Sequence, residues 1–247
     1  MSRKANSSTR SIALGLVLLS SLILLHAQDA PDDQPLTPYG IALLAYKTGK
    51  YDEARTAIDA AEKAKPGDLP TELLKAKILT EQHDFADGEK LLHSLLTPAG
   101  PPEVELALGD LLLRKRSFDR AAKYYTLALQ AKPNDPDIIL KLVYAKIGVS
   151  DLVGAGQLAS QLTPLNPKNP YDDHASYYFA KAALAQATGK STDADDAIQA
   201  ARTNYGVTIT NRYLKTYLEF FTQSDKNANS DQTPPPLVKP APSGSNP

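Results

Sequence analysis

The stretch that decides the fold is 102–136, PEVELALGDLLLRKRSFDRAAKYYTLALQAKPNDP. Its first part, 102–115, sets Val104, Leu108, Leu111 and Leu112 near the i, i+4, i+7, i+8 spacing of an amphipathic helix. Arg116 and Ser117 interrupt the pattern. A second run, 118–131, puts Ala121, Tyr125, Ala128 and Leu129 on one stripe. Pro133 stops it, since proline has no N–H to donate and biases the residue before it away from the helical region. Pro136 falls where a following helix can begin. Two helices joined by so short a break must pack antiparallel.

The same phase recurs along the chain. Aligned on the small residue near the start of the second helix, it runs Ala54, Gly88, Ala121, Ala155 and Ala194, at spacings of 34, 33, 34 and 39 residues. A period of this size marks a repeat architecture, in which each helical pair leaves an apolar face that only the next pair can cover. These residues resemble the tetratricopeptide-repeat family. The third unit carries the likeness best, through Leu108, Gly109, Phe118, Ala121, Ala128 and Pro133. The first follows through Gly49, Tyr51, Ala54, Ala61 and Pro66. The second has Leu95 where a small residue is usual, and the fourth has Val143. The fifth lacks the turn aromatic, with Ser191 in its place, and has Gly206 where proline is expected. The expected fold is all-α: a right-handed helix-turn-helix solenoid of about five pairs plus a C-terminal capping helix. The units are placed at 36–69, 70–101, 102–135, 136–170 and 171–206. Tyr213, Leu214, Tyr217, Leu218 and Phe221, at helical spacing within 207–224, read as the core-facing side of the cap.

Both ends differ from this pattern. Residues 1–11 hold Arg3, Lys4 and Arg10 without an acid, and 12–25 run fourteen residues without a charge. A basic start, a short apolar run and small residues near Ala27 form the secretory pattern, so 1–27 reads as a signal peptide and 28–35 as a linker. Fourteen helical residues span roughly 21 Å, short of the roughly 30 Å of a bilayer core. Export to a bacterial periplasm, or secretion, is the expectation; the alternative keeps the apolar segment as an inner-membrane anchor of an envelope or secretion-complex assembly factor. At the far end, six of the nineteen prolines fall in 234–247 amid Ser, Asn and Gly. Such composition cannot offset its ordering entropy, so 225–247 reads as a disordered tail.

Composition narrows the chemistry. Net charge is −1, from 27 Lys and Arg against 28 Asp and Glu, and dropping the first 27 residues leaves 24 against 28, or −4. Nothing here seeks a phosphate backbone, so no nucleic-acid partner is expected. With no cysteine, disulfides, thiolate metal sites and a thiol nucleophile are excluded. The four histidines lack the spacing of a helical zinc site, and no nucleophile elbow, phosphate loop or dinucleotide fingerprint occurs. Asp193, Asp195 and Asp196 suit a helix N-terminus, where the macrodipole favours acids, better than a calcium loop. No cofactor, no metal and no catalysis are expected.

The remaining reading is a protein or peptide partner. In the resembled family the first helix of each pair forms the concave face. Transferred by phase, that implies groove positions at Leu43, Tyr46, Lys47, Lys77, Glu81, Asp110, Arg114, Tyr144, Phe179 and Gln186. The Lys and Asn set with which some members clamp a C-terminal carboxylate is missing, since Leu43, Lys77 and Asp110 stand at those places.

Overall fold

A computed structural model describes residues 36–97, 100–164 and 174–222, and every helix in it lies in the unit that begins at Pro38. The expectations for the signal segment, the linker and the proline-rich tail fall outside the described residues.

Among the described residues there are ten helices and no strand: α1 Pro38–Lys47, α2 Tyr51–Ala64, α3 Leu69–Glu81, α4 Phe85–Leu95, α5 Pro102–Arg114, α6 Phe118–Ala131, α7 Pro136–Gly148, α8 Leu152–Ala159, α9 Ser176–Ala187 and α10 Ser191–Thr222. Successive helices pack as antiparallel pairs, and the first helices adjoin one another in the order α1, α3, α5, α7, α9. The architecture is a helical solenoid.

The turn inside each pair explains why the repeat keeps its length. Gly49, His83, Arg116, Ser150 and Gly189 all have φ between 63° and 76°. Each closes the first helix in the same way. The residue's own N–H bonds back three residues, and the next N–H bonds back five, as in Arg116 to Leu113 and Ser117 to Leu112. This is the two-bond left-handed cap that satisfies a helix's last carbonyls. Between pairs, Gly67 and Asn134 are left-handed, and the aspartate after each caps the next helix. Asp68 accepts from the Thr71 N–H, and Asp135 from the N–H groups of Asp137 and Ile138.

The small phase residues sit where helices touch. Ala54, Ala121 and Ala155 are fully buried, as is Ala194 to within 1%. A Cβ added at Gly88 would lie 2.8 Å from a Leu111 methyl, and one at Gly109 would lie 2.5 Å from the Tyr125 ring. One core runs from α3 through α10 and includes Leu108, Leu112, Phe118, Tyr125, Tyr144 and Phe179; a smaller one joins α1 and α2 to Leu74 and Ile78.

Gly206 alone breaks α10, with φ 76° and ψ 175°. The arm beyond it, 207–222, reaches over the first helices of several pairs, not the last alone. The Tyr213 hydroxyl donates to Asp137 at the start of α7, and seven residues on, Phe220 packs against Tyr144, seven residues further along α7. Arm and α7 therefore run in parallel, with the arm lying against the first helices.

Candidate functional site

The first helices and the arm enclose a cavity of about 320 Å³. Tyr46 enters from α1, Lys77, Thr80 and Glu81 from α3, Asp110 and Arg114 from α5, and Lys141 from α7. The arm contributes Lys215, Thr216, Glu219 and Phe220. The lining carries five cations (Lys77, Arg114, Arg116, Lys141 and Lys215) against three carboxylates (Glu81, Asp110 and Glu219).

Arg114 organises the charge. Its guanidinium meets the Glu81 carboxylate through both terminal nitrogens, at 3.0 and 3.1 Å, and reaches Glu219 of the arm at 3.1 and 3.2 Å. A planar five-donor fork suits such two-carboxylate contact better than an ammonium would. Lys215 of the arm adds a contact to Glu81 at 3.2 Å and lies 3.5 Å from the Tyr51 hydroxyl. Asp110 accepts from the buried Tyr125 hydroxyl at 2.9 Å and from Lys141 at 2.8 Å. All three cavity carboxylates thus have cationic partners, whereas Lys77 is exposed at the mouth.

Tyrosines mark how dry the region is. Burial pushes the Tyr46 hydroxyl up to about 12, helped by the Glu81 charge. Tyr213 also rises to about 12, first by burial and then through its bond to Asp137. Burial pushes the Asp137 carboxyl up, but bonds from Tyr213 and Ser176 outweigh it and hold the group below its ordinary value. A carboxylate that accepts two hydroxyl bonds is favoured in its charged form.

Of the positions placed in the groove from sequence, Tyr46, Lys77, Glu81, Asp110 and Arg114 converge on the cavity. Tyr144 and Phe179 face the same side but are 1% and 0% exposed, covered by the arm. Phe220 lies 5.2 Å from Tyr144, and Tyr213 stacks on Phe179 at 5.5 Å. Leu43 is half-buried against the smaller core, and neither the exposed Lys47 nor the half-buried Gln186 lines the cavity. Among the polar lining, sequence reasoning missed Thr80, Arg116, Lys141 and the arm's Lys215, Thr216 and Glu219, together with its Phe220. The signal for the arm was present in the stripe Tyr213, Leu214, Tyr217, Leu218 and Phe221 following Gly206, but only Tyr213 and Tyr217 of it are buried, Leu218 is exposed, and Phe220 completes the buried face; a stripe names a buried face without naming what buries it. Among the described residues no group of three or more acidic or histidine side chains is placed to hold a metal ion, and no helix is long and apolar enough to cross a membrane.

A stack of antiparallel pairs on a 34-residue period, with a polar cavity along its first helices, defines a repeat-type interaction module. The family model for the tetratricopeptide repeat matches residues 39–69 and 73–136, so the chain carries repeats of that kind over this stretch. It is 29% identical over 112 residues to human protein O-mannosyl-transferase TMTC1, covering 45% of this chain and 12% of that protein. Over 84 residues it is 29% identical to human anaphase-promoting complex subunit 7, covering 34% of this chain and 15% of that protein. The chain therefore spans only a small part of these relatives' length. Among solved structures, PilW, described as a widely conserved type IV pilus biogenesis factor, superposes with a TM-score of 0.53. It is 18% identical, over 85% of this chain and 100% of that one, which shows a shared fold.

Proposed function

We propose that this protein is a non-catalytic interaction module or scaffold that holds a segment of another protein in its concave groove. The observation that carries the reading is the cavity, built by the first helices of four successive pairs and rich in cations, with Lys77 exposed at its mouth. Stacked repeats present such rigid concave faces to extended or helical segments. A surplus of positive groups favours a segment carrying Asp or Glu. Residues 1–27 support export, and a bacterial envelope is the setting that fits a short apolar leader on a chain without cysteine.

The test compares capture from an envelope extract by the wild-type chain, Lys77→Glu in the groove mouth and Lys123→Glu on the exposed side of α6. The reading requires Lys77→Glu to lose the partner while Lys123→Glu retains it. Equal capture by all three would place binding away from the cavity. Intact mass of the exported chain addresses the setting: a start after residue 27 supports a released protein, and retention of Met1 on a membrane-bound chain supports the anchored assembly factor.

A further inference from the structure

The arm 207–222 is docked as a foreign helix would be. Its inward face is an aromatic stripe at i, i+4 and i+7: Tyr213 against Phe179, Tyr217 at 6.0 Å from the same ring, and Phe220 between Tyr144 and Phe118 at 5.2 and 5.6 Å. Its edge is polar, with Glu219 on Arg114, Lys215 on Glu81 and Tyr213 on Asp137. A dry aromatic centre ringed by charge pairs is how an amphipathic helix lies in a partner's groove.

Two further observations concern how firmly the arm belongs there. Within the 32 residues of α10, Gly206 alone leaves helical geometry, at φ 76° and ψ 175°. That region is open essentially to glycine alone. A Cβ at Gly206 would meet nothing within 4 Å, so the glycine serves the bend and not the packing. Returning this one residue to helical angles would straighten α10 into a rod of about 48 Å and lift the arm from the groove. Separately, the Tyr144 hydroxyl is fully buried beneath the arm and has no hydrogen-bond partner among the described residues. A buried hydroxyl left unpaired is a cost that the docked arm does not relieve.

We propose that the floor beneath the arm, formed by Arg114, Tyr144 and Phe179, is a helix-docking site that the arm closes in cis. The occupant it fits is an amphipathic helix of another protein. That helix carries large apolar or aromatic residues at i, i+4 and i+7, an acid at i+6 for Arg114, and a polar side chain within reach of the Tyr144 hydroxyl. The proposal rests on the reading of the concave face as the binding surface and goes further by naming the partner's chemistry and its competitor. A tethered arm competes at an effective concentration on the order of millimolar, so a free helix gains access when closure weakens.

The probe is a labelled synthetic peptide of residues 207–222, titrated by fluorescence anisotropy into the full chain. Two release variants are used: Gly206→Ala, which makes the bend unfavourable, and Lys215→Glu, which opposes Glu81 from a side chain that is 53% exposed. The proposal requires the peptide to bind either variant roughly tenfold or more tighter than wild type, the size expected from forcing alanine into a glycine-only conformation. A peptide carrying Glu219→Arg must bind the variants at least tenfold more weakly. Equal binding by wild type and both variants overturns the proposal. So does a variant that dimerises with rising concentration without taking up peptide, since the occupant is then a second copy. Loss of peptide binding alongside intact Lys77-dependent capture would remove this inference and leave the concave-face reading standing.

Discussion

Replacing Gly109 with alanine sets two effects against each other. Gly109 lies inside α5, and a glycine in a helix interior is about 0.8–1 kcal/mol worse than alanine. On that count the substitution stabilises. The new Cβ, however, would stand 2.5 Å from Cε1 and 2.6 Å from Cδ1 of Tyr125, where carbon atoms prefer about 3.5–4.0 Å. The ring has no room to retreat, because Tyr125 is fully buried on α6 and its hydroxyl donates to Asp110. Overpacking of this kind costs roughly 1–3 kcal/mol, and stretching a hydrogen bond to a charged group costs about 1.5–3 more. The crowding wins, and Gly109→Ala is expected to lose roughly 1.5–5 kcal/mol after the propensity gain. Urea unfolding followed by far-UV circular dichroism measures this at unchanged slope. In a Tyr125→Leu background the same substitution should lose much less, since the clashing ring is gone. A Gly109→Ala chain about 1 kcal/mol more stable than wild type would refute the close contact between α5 and α6.

The phase of α6 is checked by Ala121→Leu, which overpacks a fully buried position and should lower the melting temperature clearly, whereas Lys123→Leu on the exposed side should not. At the turn between α7 and α8, Ser150 is exposed at φ 63°, so Ser150→Gly should relieve left-handed strain and stabilise by about 0.5–1 kcal/mol in thermal melts. Alkaline pH acts through the tyrosines. Tyr46, Tyr213 and Tyr217 are raised from 10.0 to about 12, so the unfolded chain releases those protons first and stability falls as pH climbs from 10 toward 12. Tyrosinate absorbance should then rise together with unfolding; titration of all tyrosines near 10 in a folded chain would contradict their burial.

The repeat was legible because its landmarks are requirements of packing. Ala54, Gly88, Ala121, Ala155 and Ala194 are small where helices approach: the four alanines are buried, and at Gly88 even a Cβ would crowd Leu111. Gly49 and Gly189 likewise announce left-handed turns. His83, Arg116 and Ser150 adopt the same turn without glycine's freedom, held by the helices on either side, so only the fold reveals them. Five of the groove positions implied by the family resemblance, Tyr46, Lys77, Glu81, Asp110 and Arg114, line the cavity once that face is transferred onto this chain's phase. The arm was not reachable in this way. Its stripe of Tyr213, Leu214, Tyr217, Leu218 and Phe221 states that one face is buried, while the choice between the end of the stack and the first helices of several pairs depends on the single bend at Gly206. Lys141 was passed over for a related reason: an isolated lysine on a helix carries no signal until Asp110 stands opposite it.

Hydrogen exchange on the full wild-type chain, resolved for the amides of 207–222, tests most directly whether the concave face is occupied by the chain's own helix. The docked arm predicts that amides around Tyr213, Tyr217 and Phe220 exchange as slowly as those of α7 and α9, and that Lys215→Glu speeds the arm alone. Exchange of the wild-type arm at the rate of an unstructured peptide, with α7 and α9 still protected, would contradict the account.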